Sequence, residues 1–250
     1  MSDFYSTRWS SAPAARADIS VDAGLRRFML SVYNKVAAGL LVSAVLAWVT
    51  SSVPPVRDLM FLVSEDGRLA GLTPLGWIVA WAPVAILFVA SLAMRSPTSG
   101  AANLLYWTVV ALIGASLGVL GLAYTGASIA TTFLITAAAF GGLSLLGYTT
   151  KKDLSGLGSF LIVGVLGLVI ASLVNLFLHS AAVQFAISVI GVFVFAGLIA
   201  YDTQRLKLLY YELGDQSARG VASSYGALSL YINFINLFQF LLSLFGQRRD

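Results

Sequence analysis

Charged positions interrupt this chain rarely, and the gaps between them carry its architecture. Uncharged stretches run over 36–56, 69–94, 96–150, 154–201 and 220–247. A bilayer-spanning helix needs about 20 mostly apolar residues, with a range of roughly 17–25. At 21, 26, 55, 48 and 28 residues, the stretches hold one, one, two, two and one such helices. The pattern predicts seven crossings. No period-two alternation competes, and a membrane barrel would read as shorter alternating segments.

Turn chemistry places the boundaries. The first helix is expected over about 28–52, ended by Val53-Pro54-Pro55, where a loop follows with Arg57, Asp58, Glu65, Asp66 and Arg68. Thr73-Pro74 opens the second as cap and first helical position, and Pro83 within it predicts a kink. The long run 96–150 divides at Thr125-Gly126-Ala127-Ser128, and 154–201 divides at His179-Ser180. The expected helices are about 100–124, 127–148, 156–178, 181–211 and 221–245, the sixth continuing past Asp202 as an amphipathic extension.

Composition agrees and removes whole classes of function. The chain is 58% hydrophobic and 10% charged, against roughly a quarter charged in a soluble domain. The fold class is therefore all-α, a polytopic seven-helix membrane bundle. Without cysteine there are no disulfides or thiolate sites, and the single histidine, His179, cannot build a multi-histidine metal centre. Residues 1–24 lack the apolar run of a secretory signal and read as a polar, flexible cytoplasmic tail ahead of a membrane domain over 25–250.

The net charge of +4 sits in tails and short loops, where it orients the protein in the bilayer and does not imply nucleic acid. Arg8, Arg16, Arg26, Arg27, Arg95, Lys151, Lys152, Arg205, Lys207 and Arg219 fall on one side. Arg57, Arg68, Arg248 and Arg249 fall on the other. Ten against four predicts a cytoplasmic N-terminus and an external C-terminus, unless the last helix is re-entrant. Glycines at 114, 118, 121, 141, 142, 147, 158, 164 and 167 are expected to let helices approach closely, since lipid supplies no hydrophobic drive for association.

Ionisable groups at membrane depth mark functional sites by default. Asp202 follows the uncharged run 154–201 and is the sharpest such signal; its bland alternative is a local pair with Arg205. Lys35 lies within the first helix, where snorkelling to the headgroups is the bland alternative. Asn233 and Asn236 in the last helix can serve as interhelical hydrogen bonders.

Ala200-Tyr201-Asp202-Thr203-Gln204 resembles the Tyr-Asp-Thr-Gln signature of the Bax inhibitor-1 family. Arg27-Phe28-Met29, Val32-Tyr33 and Gly39-Leu40-Leu41 resemble that family's first helix, and 227–238 its last. The resemblance implies a bacterial-type, multi-pass inner-membrane protein and a pH-sensitive calcium leak. In it, the signature aspartate shares a proton with a second aspartate on the last helix when closed. That second position is Asn233 here, and 220–247 holds no carboxylate.

The expected gating and ion-binding pair is therefore Asp202 and Asn233, with Asp202 as calcium ligand and Gln204, Arg205, Asn236 and Lys35 as supporting polar groups. No cofactor is expected beyond calcium as permeant ion; the expected partners are lipid, calcium and, in the alternative reading, a membrane protease bound by a non-conducting regulator. An enzyme is not expected. No spacing supports a Ser144–His179 pair, and the last helix has no lysine for a Schiff base.

Overall fold

The computed structural model describes residues 12–64, 68–94 and 96–249, with side chains from residue 23 onward. Its elements in order are α1 (Ala12–Ser52), α2 (Pro54–Met60), β1 (Phe61–Val63), β2 (Leu69–Leu72), α3 (Pro74–Ala93), α4 (Ser99–Ser116), α5 (Gly118–Ala123), α6 (Gly126–Thr149), α7 (Ser155–Leu178), α8 (Ala181–Glu212) and α9 (Gln216–Phe245). Seven spans are long and apolar enough to cross a membrane, with α4 and α5 forming one across a break at Leu117. The tail expected over 1–24 falls partly on residues 1–11, outside the described residues, and the described backbone of α1 is already helical from Ala12.

Hydroxyl caps set several of the starts. Thr73, Thr98, Thr125 and Ser180 each accept a hydrogen bond from the backbone N–H three residues on, satisfying a donor the helix leaves orphaned. Helix α3 is continuous through Pro83.

The first connection departs from the expected plain loop. Pro54 and Pro55 stop α1 but begin α2, because proline's fixed φ suits a first helical turn, whose N–H groups have no intrahelical partner. Strands β1 and β2 then pair antiparallel, Phe61 opposite Leu72, with an irregularity at Leu62/Val63. Three or four residues are too few for period-two patterning to stand out.

Helix α9 is the axis of the bundle. In its most apolar window 56% is buried, against 11–39% in the other six spans. It packs against α1, α4, α6 and α8, burying Tyr231, Phe234, Leu237 and Leu242. The outward faces of the surrounding helices carry exposed Leu, Ile, Val, Phe and Trp, the inverse of a soluble surface and suited to lipid.

Small residues do the packing at several seams. A Cβ at Gly114 would meet the Ser43 backbone, and one at Gly147 would run into the Ala200 carbonyl, so α4 meets α1 and α6 meets α8 nearly backbone to backbone. Gly141, Gly142 and Gly167 correct the uniform expectation: each faces open space.

The chain ends on a defined face. Thr125 N–H donates to the Gln247 carbonyl at 3.0 Å, Arg249 N–H donates to the Ala123 carbonyl at 3.0 Å, and Tyr124 bridges Arg248. The C-terminal residues thus sit beside the α5–α6 turn, and α9 is one unbroken helix leading to it. Its other end lies with the α6–α7 and α8–α9 turns, hereafter the basic face.

Candidate functional site

Asp202 lies near the basic face on α8 and points inward, 7% exposed. Ser229 Oγ donates to Asp202 Oδ2 at 2.5 Å, and Asn233 Nδ2 donates to the same oxygen at 2.7 Å. Ser229 and Asn233 stand four residues apart on α9 and therefore share the face turned to α8. The expected Asp202–Asn233 pair is assembled, and both of its groups are buried.

The local alternative is not what forms. Arg205 is exposed, and among the described residues no ion pair joins it to Asp202. Its charge acts on the carboxyl electrostatically, from one turn along. Ser229 is the member that sequence reasoning missed: it lay inside the last-helix motif, and its four-residue offset from Asn233 was the available signal.

The other expected residues do different work. Gln204 clamps the α6–α7 turn, its Nε2 donating to the Lys152 carbonyl and its Oε1 accepting from Leu154 N–H, both at 2.8 Å. In that turn Asp153 Oδ1 accepts from Ser155 N–H at 2.8 Å, and the hydrogen bonding to Ser155 holds the Asp153 carboxyl below its ordinary value. Lys35 is bound to the axis: its Nζ donates to Ser224 Oγ at 2.7 Å, on the α1–α9 seam. Asn236 turns back on its own helix, donating to the Ile232 carbonyl at 2.8 Å.

Asn233 and Asn236 also line a cavity of about 490 Å³ between α7, α8 and α9, with Ser172, Leu168, Phe195 and Phe240 among its other walls. The cavity brings polar lining to the flank of the Asp202 contact that faces away from the basic face.

Among the described residues no cluster of three or more His, Cys, Asp or Glu side chains stands together. A tight calcium cage takes six to eight oxygens, several of them carboxylates. At Asp202 the chain offers one carboxylate with a hydroxyl and an amide beside it. Such a set falls short of a cage that retains the ion.

A family profile described as "Inhibitor of apoptosis-promoting Bax1" matches residues 25–250, the whole span from the start of the first crossing through Asp202 and α9. The chain belongs to the Bax inhibitor-1 family. It is 63% identical to an uncharacterized protein of Caulobacter vibrioides over 100% of both chains, and 45% identical to one of Rickettsia prowazekii over 92% of this chain and 93% of that one. It is also 41% identical to the inner membrane protein YbhL of Escherichia coli K12, over 95% and 98% of the two chains. This Bax inhibitor-1 family member is a multi-pass membrane protein in contact with lipid along its outer faces. Its signature aspartate is the one held by Ser229 and Asn233.

Proposed function

We propose that the protein is a passive calcium leak of the Bax inhibitor-1 type, gated where Asp202 on α8 meets α9. The observation that carries this reading is a buried carboxylate with two donors from the central helix and no cationic partner within ion-pair distance among the described residues. A buried charge held only by neutral groups is costly, and an intramembrane carboxylate that lines an ion path is the usual reason to keep one. The resemblance noted in the sequence supplies calcium as the ion, and oxygen donors suit it.

Asn233 changes how such a gate responds to protons. Two facing carboxyls need one shared proton to hold together. Here the amide N–H of Asn233 supplies that hydrogen permanently, so the closed contact needs no shared proton. Protonating Asp202 at Oδ1 leaves Oδ2 as a carbonyl oxygen that still accepts from Ser229 and Asn233, and makes both hydrogen bonds neutral. The leak of this protein therefore responds to pH through Asp202 as a single group.

The protein sits in this reading in an inner membrane, as the Escherichia coli relative's name states for that protein. Its basic face is cytoplasmic by the ten-to-four distribution of Lys and Arg. The second reading, a non-conducting regulator of a membrane protease, would use the exposed end of α8 around Arg205 and Glu212. Calcium flux into liposomes holding the purified protein separates the two. Flux that changes on Asp202→Ala supports the gate, equal flux in both removes Asp202 from it, and no flux with a co-purifying partner favours the regulator.

A further inference from the structure

A cavity of about 650 Å³ lies between α1 and α6, lined by Arg26, Tyr33, Leu40, Gly141, Ser144 and Tyr148 among others. Its volume is that of a typical small-molecule site. On α1 it extends from Arg26 to Leu40, roughly 21 Å of helix at 1.5 Å per residue, which exceeds the roughly 15 Å depth of one leaflet's hydrocarbon. The walls are apolar except at the basic-face end and at one point inside.

That interior point is Ser144. It is 5% exposed, and its hydroxyl has no hydrogen-bond partner. Hydroxyls elsewhere on α6 behave differently: Thr136 and Thr149 each donate to the carbonyl four residues back at 2.7 Å. The Thr203 hydroxyl from α8 is also buried and unpartnered, and the Tyr33 side chain neighbours both. A buried hydroxyl left unpaired costs about 1–3 kcal/mol; beside Ser144 only the Tyr33 hydroxyl stands near, outside good hydrogen-bond geometry, which leaves the Ser144 donor open to an acceptor entering the groove.

The mouth is cationic. Arg26 lines it and is exposed. Lys207 stands 5.1 Å from the centre of the Tyr148 ring and donates to the Tyr148 carbonyl at 2.9 Å. Gly141, in the cavity wall, has nothing within 4 Å of where a Cβ would stand. The groove is open along its length.

We infer that this groove seats an anionic phospholipid: phosphate at Arg26 and Lys207, an ester carbonyl accepting from Ser144, and an acyl chain against α1 and α6. The order of chemistry along the groove is that of the lipid itself, a cationic mouth, one orphan donor some five residues inside the end of α6, then apolar wall. The site is independent of whether the protein conducts.

The test is native mass spectrometry of the full chain released from bilayers of equal parts phosphatidylglycerol and phosphatidylcholine. Wild type is expected to retain a phosphatidylglycerol in preference to phosphatidylcholine. Gly141→Leu, which fills open space, is expected to lose the retained lipid while keeping wild-type thermal unfolding. Arg26→Gln is expected to cut phosphatidylglycerol retention roughly tenfold and leave phosphatidylcholine retention unchanged. Equal retention by wild type and Gly141→Leu would mean annular lipid only and would overturn the site. Equal retention of the two lipids by wild type would overturn the anionic headgroup.

Discussion

Asn233 donates its side-chain amide to Asp202 Oδ2 at 2.7 Å across the α8–α9 seam, so the family's signature aspartate faces an amide here where a second carboxylate stands in the resemblance. The consequence is chemical rather than geometric. Where the resemblance implies a shared proton, a covalent N–H stands here.

Ser229 holds the same oxygen at 2.5 Å. Hydrogen bonds to charged groups contribute about 1.5–3 kcal/mol. If the contact keeps the bundle closed, Ser229→Ala raises the resting calcium leak by roughly tenfold or more, measured in liposomes at neutral pH. Unchanged flux would assign Ser229 to packing.

Two glycines on one helix separate tight seams from open wall. Gly147→Ala drives a methyl into the Ala200 carbonyl, whereas Gly141→Ala meets nothing within 4 Å. Overpacking costs about 1–3 kcal/mol and surface changes stay within about 0.5 kcal/mol. Thermal unfolding in detergent should show the first variant clearly destabilised and the second near wild type.

Gln204 ties α8 to the α6–α7 turn through two 2.8 Å hydrogen bonds. Gln204→Ala removes both and leaves the Lys152 carbonyl and Leu154 N–H to solvent. The loss is expected at about 1–3 kcal/mol, with faster protease cleavage between Lys151 and Asp153 as its visible sign. Cleavage at the wild-type rate would mean that the turn is held by other means.

The C-terminal strand-like pairing with the α5–α6 turn fixes the face on which the chain ends. A reporter fused after Asp250 should lie across the membrane from one fused after Lys152. Finding both on the same side would contradict a full crossing by α9.

Much of the fold was legible because charge is so sparse: each of the seven spans has a counterpart in the gaps between charged residues, and Thr73, Thr125 and Ser180 mark starts by ordinary capping chemistry. The β1–β2 hairpin was not legible, since its pairing is made by backbone groups over three and four residues. The open wall at Gly141 and Gly142 was hidden for a related reason. Glycine permits close approach, but only the neighbouring helix decides whether it occurs. At the site, Asp202 and Asn233 were readable from the signature, whereas the destination of Lys35 on Ser224 depended on the rotation of α1 against α9. Periodicity alone does not set that rotation.

The gate is tested most directly by a calcium-flux titration in liposomes, comparing wild type with Asn233→Asp across neutral and acidic pH. Wild type is expected to keep its contact without a shared proton and to respond as one titrating group. The variant, which needs a shared proton to close, is expected to leak more as pH rises. Superimposable profiles for the two proteins would contradict a gate formed between α8 and α9 at this contact.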